Sequence, residues 1–597
     1  MSGPRLLAAS MVVAIVAAGC VSLPADDPLA AANTAETAAF ASYLHDLSPL
    51  LTGLTNLTEH YRTSMAGPMG NVELDTWVIR PDLEEPLPLV LEVTPYYTGG
   101  EPATLGRVAH ELIQRGYAVG VSSVRGTGNS GGCFSQGGHQ EALDTAAVIE
   151  ELAGQAWSNG RVGLIGVSYP GTTPQDVWVE APPSLKAIVP ISGISDLYKY
   201  NFVNGVPIVP QGPAFNTYYW VLEGPATFSA TDLETVPGAI AGEACPQQLE
   251  VQEGGLSSGL DGNKDAYWQE RDFLAELAAA RAADATTERA AVWYIHGLQD
   301  WNVKPHMMED WLDALWQEGV PMKVWLGQWP HAWPASSSLS DPCKEPGDAC
   351  RADWWSQGLV AWFDQFLKGI DTGILDAPAV QVQDDDGQWR HEDRWPPTDV
   401  DTHTYYFDAD GTLASDAPGD GTATYWLPPA GAELEAATGL TPADASLPLS
   451  KTFVSEPLEH DLHLAGQALL ALNVTSSAAR ASLVVSLGER DPDGLDRYVN
   501  FGVISLNHAD NLAQGSPNIA GQVLPIALRF FPQDDVIHAG HRLIITFAEN
   551  TRGSPGPSLA PVHDAGSMSF DLTTASLMLP VDTTIAYEAT QPYDSSA

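Results

Sequence analysis

Gly163-Leu164-Ile165-Gly166-Val167-Ser168-Tyr169-Pro170-Gly171 is the stretch whose reading decides the fold. Apolar and glycine residues run into a serine, and a helix-like segment follows. This is the pattern of a nucleophile elbow, a buried strand that turns sharply at Ser168 into a helix. Such a turn strains the serine backbone, so small residues must flank it. Gly166 stands two before Ser168. The glycine usually found two after the serine is replaced by Pro170, and Gly171 comes one later. Pro170 suits a helix's first turn, where its missing N–H is no loss. The stretch alone also fits a strand, turn and helix with an incidental serine. An acid and a base in the right order downstream decide between the two.

The surroundings of the elbow supply a sheet. Val72–Ile79 is predicted as an edge strand, and Leu87–Val93, Tyr117–Val124, Val162–Val167 and Ala187–Ile191 as further strands. Ala103–Arg115 and Glu141–Leu152 have helical apolar spacing. Near-continuous apolar strands alternating with helices argue for a parallel sheet covered on both faces. The rhythm stops at about 195. Residues 195–288 hold aromatic clusters (Tyr198, Tyr200, Phe202, then Tyr218-Tyr219-Trp220) and a helical run, Tyr267–Ala283, which predict a mostly helical cap. Strands return at Ala291–His296 and Met322–Leu326, and Trp354–Leu367 is an amphipathic helix. After about 377 short alternating segments separated by turn residues predict an all-β sandwich or jelly roll. The expected division is a signal at 1–20, a spacer at 21–60, an α/β-hydrolase domain at 61–194 and 289–376, the cap at 195–288 and a β jelly roll at 377–597.

Functional groups in an open α/β sheet gather beyond the carboxyl ends of its strands. Ser168 follows one strand. Ala291–His296 runs into Gly297-Leu298-Gln299-Asp300-Trp301, and Met322–Leu326 into Gly327-Gln328-Trp329-Pro330-His331-Ala332-Trp333. The order Ser, Asp, His is that of α/β-hydrolases. A serine hydroxyl becomes a good nucleophile when a histidine accepts its proton, and a carboxylate orients the imidazole. His296 and His306 compete as base; His331 is preferred because it follows the last strand. The oxyanion needs donors. One is expected from the Tyr169 backbone N–H. Another should come from the loop after Leu87–Val93, where Tyr96 is either a donor or a packing aromatic.

The 597 residues suggest more than one domain. With 75 Asp+Glu against 27 Lys+Arg, the formal charge is −48. That excludes nucleic acid and anionic membrane surface as expected partners, and suggests a highly soluble or salt-adapted surface. Arg5, the apolar stretch Leu6–Ala18 and the small residues before Cys20 read as an export signal of lipoprotein type, with the lipid on Cys20 the expected membrane contact. The alternative is ordinary secretory cleavage. The expected location is therefore the cell surface or periplasm, or secreted. Export permits disulfides. Cys343 and Cys350 are close enough to close a small loop, leaving Cys133 and Cys245 as the other pair. No spacing suggests a metal, and no cofactor is expected. A homodimer is compatible with the sequence.

Several motifs together resemble one family. Thr94-Pro95-Tyr96, Val124-Arg125-Gly126-Thr127-Gly128-Asn129-Ser130-Gly131-Gly132, Trp157-Ser158-Asn159-Gly160-Arg161-Val162-Gly163, the elbow itself and His296-Gly297-Leu298-Gln299-Asp300-Trp301-Asn302-Val303-Lys304-Pro305 are similar to the X-prolyl dipeptidyl peptidase and cocaine esterase family. Tyr267-Trp268-Gln269-Glu270-Arg271-Asp272 and Ala539-Gly540-His541-Arg542-Leu543 match too, so the likeness covers nearly everything after about residue 60. The resemblance implies an α/β-hydrolase domain, a helical cap and a C-terminal jelly roll. It implies a triad of Ser168, Asp300 and His331, and oxyanion donors at Tyr96 and Tyr169. Two departures stand out. Ser123 replaces the family's Asp two before Arg125, removing an ion-pair partner. Pro170 and Pro174 fall just after the nucleophile and are expected to distort the first helical turns. Family members cleave amides after an N-terminal X-Pro, or small esters and acyl side chains. The block around Asp300 is closer to the peptidase branch, and Trp301 and Trp333 are candidates for a flat apolar wall against proline. The expected substrate is a peptide, with a small ester or acyl amide as the alternative.

Overall fold

The structure, a computed structural model, describes residues 43–67, 70–96, 106–209, 262–331, 352–398, 400–428, 447–548, 558–559 and 564–583. Cys20, Cys245, Cys343, Cys350, Trp333 and most of the expected cap lie outside them. Cys133 is disulfide-bonded, and its partner lies outside them too.

A ten-stranded sheet organises the first domain. In chain order its strands are β1 (Asn56–Gly67), β2 (Gly70–Pro81), β3 (Leu87–Thr94), β4 (Ala118–Ser123), β5 (Ser158–Val167), β6 (Leu185–Ile191), β7 (Ala291–Gly297), β8 (Met322–Gly327), β9 (Val380–Gln383) and β10 (Trp389–Glu392). Across the sheet the order is β1-β2-β4-β3-β5-β6-β7-β8-β9-β10. The run from β4 to β9 is parallel, while β1, β2 and β10 pair antiparallel. Strand side chains alternate between two cores, as a pleat requires. Leu89, Leu91 and Leu164 face one core, and Val90, Val119 and Ile165 the other. On the first face lie helices α2 (His139–Ala153), α3 (Tyr169–Glu180) and α7 (Met308–Glu318). On the second lie α1 (Gly106–Gln114) and α8 (Ala352–Phe363).

Three boundaries differ from the sequence reading. β1 starts at Asn56, so β2 is not the edge strand. Ser48 donates its N–H and its hydroxyl to the buried Asp364 carboxylate, at 2.7 and 2.9 Å, so part of the expected spacer is tied to the domain. Strands β9 and β10 carry the sheet past residue 377, where a β domain is expected to begin.

Among the described residues the 195–288 segment contributes α4 (Leu197–Asn201), α5 (Ala266–Gln269) and α6 (Phe273–Ala283) and a hairpin, Phe202–Val203 with Val206–Val209. The expected single helix over 267–283 is broken at Glu270-Arg271-Asp272, because the Asp272 carboxylate accepts the N–H groups of Leu274 and Ala275 and starts a new helix. The second domain is all β. Its longest strand, Gly566–Val581, pairs antiparallel with Asp401–Phe407, Thr422–Leu427, Leu462–Gly466 and Leu469–Ser476, around a core that includes Phe453, Phe547 and Phe570. Among the described residues no helix is long and apolar enough to cross a membrane.

Candidate active site

Ser168 caps α3 with φ +68° and ψ −125°, a conformation that only a tightly held L-residue keeps. The elbow is held by Ser168 N–H to Ile191 O at 3.0 Å, and by the N–H groups of Gly171 and Thr172 to Ser168 O. Gly166 is obligatory here, since a Cβ would lie 2.2 Å from Pro170 O. The helix runs through both prolines from Tyr169 to Glu180, where distortion is expected. Pro174 cannot donate to Pro170 O, and the Thr173 hydroxyl lies 3.3 Å from that oxygen instead.

Strands β5, β7 and β8 are parallel, so the turns that follow them leave the same edge of the sheet. Asp300 lies after β7 and is fully buried. One carboxylate oxygen accepts the N–H groups of Asn302 and Val303, at 2.9 and 2.8 Å. The other meets His331 Nδ1 at 2.9 Å. Burial would raise the Asp300 pKa, but the charge and hydrogen bond of His331 outweigh it and hold the carboxyl below its ordinary value. His331 follows β8. Gly297 and Gly327, at the ends of β7 and β8, make room for Trp329, whose atoms would lie about 2 Å from a Cβ on either (2.1 and 2.0 Å). His296, the competing base, is buried, with Nε2 2.8 Å from Val303 O. Burial pushes its pKa down. His306 sits in a short 3-10 turn, Pro305–Met307, with its ring tilted against that of Phe531, 4.9 Å between centroids.

The tyrosines adjoin. Tyr96 is 36% exposed, and its ring meets that of Tyr169 edge-on, 6.5 Å between centroids. Tyr169 is buried and donates its hydroxyl to Glu141 on α2 at 2.7 Å. Trp301 lies against Phe501 and Phe531 of the β domain. Arg125 keeps a buried ion pair despite Ser123: Asp144 on α2 takes it bidentately, with both contacts at 2.6 Å. That partner is distant in sequence, which is why the motif alone missed it. Two further groups escaped the sequence reading. Glu141 falls in the apolar face of α2. Lys304, fully buried beside the acid loop, donates to Tyr200 O and Asn302 O at 3.0 and 2.7 Å, and burial pushes its pKa down to about 7. Among the described residues no group of three His, Cys, Asp or Glu could hold a metal ion.

Comparison with known proteins gives the family and the fold. Residues 70–333 match the X-Pro dipeptidyl-peptidase (S15) family, and residues 372–549 match the X-Pro dipeptidyl-peptidase C-terminal non-catalytic domain. A Streptomyces avermitilis protein named provisionally as an Xaa-Pro dipeptidyl-peptidase is 27% identical over 83% of this chain and 78% of its own. A Bacillus cereus protein of the same provisional name is 31% identical over 53% of this chain, which spans about half (55%) of that relative. A cocaine esterase from a Rhodococcus strain is 24% identical over 79% of this chain and 88% of its own. The crystal structure of an aminopeptidase from a marine sediment archaeon (Thaumarchaeota archaeon) shares the fold, with a TM-score of 0.67 at 19% identity, over 90% of this chain and 98% of that one. An α/β-hydrolase domain followed by a β domain, carrying both halves of that sequence signature, makes this chain a serine hydrolase of the X-Pro dipeptidyl-peptidase and cocaine esterase family.

Proposed function

We propose that the protein releases N-terminal X-Pro dipeptides through an acyl-enzyme. The observation that carries the mechanism is the contact between buried Asp300 and His331 Nδ1, on the sheet edge that also presents the strained Ser168. In this reading Asp300 fixes the tautomer with the proton on Nδ1, leaving Nε2 to take the Ser168 proton as Oγ attacks the substrate carbonyl. The tetrahedral oxyanion is met by the Tyr169 N–H and the Tyr96 hydroxyl. Collapse expels the amine, which carries away the proton from His331. Water, deprotonated by the same histidine, then frees the acyl group. The relatives named as Xaa-Pro dipeptidyl-peptidases support the peptide substrate. Trp333 stays a candidate wall for the proline ring. Trp301 lies at the domain junction, and its packing there favours a structural part.

A second reading, hydrolysis of small esters or acyl amides, is supported by the cocaine esterase relative. Parallel assays of Ala-Pro-p-nitroanilide and p-nitrophenyl butyrate decide between them. Ester turnover without anilide cleavage refutes the peptidase reading. We further read residues 195–288 as a helical cap, the β domain as a jelly roll, and Cys20 as the lipid-bearing residue of an exported lipoprotein. Loss of membrane-fraction protein in Cys20→Ala tests the last.

A further inference from the structure

Glu141 is a buried carboxylate that the mechanism above does not use. Its two oxygens face two different structures. Oε1 accepts the Ser135 hydroxyl at 2.8 Å and the Gly137 N–H at 3.0 Å, both from the loop that leads into α2. Oε2 accepts the Tyr169 hydroxyl at 2.7 Å. Tyr169 immediately follows Ser168, and its ring sits between Phe134, at 5.7 Å, and Tyr96, at 6.5 Å. A buried ring tethered at its hydroxyl and packed against two other aromatic rings has little freedom to swing, and its backbone N–H is fixed with it. The 135–138 loop is itself held from above. Arg271 donates to Gln136 O and Ser135 O at 3.2 and 2.7 Å, and Tyr267 donates its hydroxyl to Gln136 Oε1 at 2.8 Å. A continuous chain of hydrogen bonds thus runs from the Tyr267–Arg271 segment through the loop and Glu141 to Tyr169.

We propose that Glu141 is a positioning residue for the oxyanion donors, holding the Tyr169 ring and hence the Tyr169 N–H beside the nucleophile. The proposal rests on Ser168 being the nucleophile. Misplacing a group by an ångström costs on the order of a hundredfold in rate, and losing an oxyanion donor outright costs about a hundred- to a thousandfold. The alternative is that Glu141 only anchors the loop before α2, through Ser135 and Gly137.

The test measures the rate at which a fluorophosphonate probe labels the full-length enzyme. That reaction needs the nucleophile and the oxyanion site but no particular substrate. Tyr169→Phe removes only the tethering hydroxyl and should slow labelling roughly ten- to a hundredfold. Glu141→Ala should slow it as much. Glu141→Gln should recover most of the rate, because its amide still bonds the Tyr169 hydroxyl. Ser135→Ala, which removes one of the two loop contacts on Oε1 and leaves the Gly137 and Tyr169 contacts in place, should stay within about twofold of wild type. On the better of the anilide and ester substrates, the loss in Tyr169→Phe should fall on kcat with KM unchanged, since the oxyanion forms only along the reaction. Tyr169→Phe labelled within about twofold of wild type overturns the proposal, as does Ser135→Ala slowed as much as Glu141→Ala. Wild type that does not label at all refutes the nucleophile reading instead. If Glu141→Ala does not fold, Tyr169→Phe and Glu141→Gln still carry the comparison.

Discussion

Asp300→Asn isolates what the buried acid does. One carboxylate oxygen accepts two backbone N–H groups, from Asn302 and Val303. An asparagine must therefore keep its amide oxygen on that side, because the NH2 group there would face two donors. The NH2 then points at His331 Nδ1, where the second carboxylate oxygen stood at 2.9 Å. It is a donor, so Nδ1 must become the acceptor and the ring proton moves to Nε2. The lone pair that takes the serine proton is gone, while the packing is almost unchanged. In the serine-protease template this wrong tautomer costs about 10⁴ in kcat, or about 5 kcal/mol of barrier. The assay is kcat near neutral pH on whichever substrate the wild type turns over, with thermal unfolding alongside. The expected result is a loss of about 10⁴ with Tm shifted by only a few degrees. A kcat within tenfold of wild type refutes the assignment of Asp300 and His331 as the acid–base pair. An equal loss accompanied by unfolding refutes the tautomer argument.

Gly166→Ala should cost about 1–3 kcal/mol of stability through overpacking, since the new Cβ lies 2.2 Å from Pro170 O; unfolding at the wild-type temperature, with normal labelling of Ser168, would contradict it. Arg390→Ala leaves the buried Asp534 without its bidentate partner, and should cost about 3–5 kcal/mol, read by denaturant unfolding. Glu276 has a pKa raised to about 8, first by burial and then by Glu180, Glu270 and Asp272. The folded state therefore holds that proton more tightly than the unfolded chain. The stability it favours is fully present below the ordinary value of 4.5 and is lost as pH rises through about 8. Tm should fall between pH 5 and pH 9 more steeply in wild type than in Glu276→Gln, and equal slopes would refute the reading.

The parts of the fold that the sequence makes legible are those with a local cause. The strand before Ser168, the later strands that lead to Asp300 and His331, and the short alternating segments of the second domain follow from apolar runs bounded by turn residues. What is not legible depends on partners far along the chain. Asp144 replaces the missing partner of Arg125 from a helix 19 residues on. Ser48 reaches Asp364 across 316 positions, so the described end of the expected spacer, residues 43–55, is tied to the domain by a partner that no local pattern announces. Pro170 and Pro174 read as a disturbance, yet Thr173 lies against the carbonyl that Pro174 leaves free. Glu141 was hidden because a helix's apolar face normally marks core, and a carboxylate there gives no sign of the tyrosine it meets.

The contacts of the β domain bear on the site even though the strands that carry Ser168, Asp300 and His331 all belong to the other domain. Trp301, next to Asp300, packs on Phe501 and Phe531. Gln328, three before His331, donates to Asp534 O at 2.8 Å. Asp534 in turn is held by Arg390 on β10 and by His463 at 2.9 Å, and the charge of Arg390 outweighs burial to keep its carboxyl well below the usual range. The acid loop and the base loop thus each rest on the same strand region of the β domain, Phe531 to Asp534. A rigid support shared by both loops fixes their separation, and a hydrogen bond of 2.9 Å between Asp300 and His331 tolerates little error in it. In the proposed mechanism Ser168, Asp300 and His331 all come from the other domain, and the distance between the last two is set partly from the β-domain side of the junction.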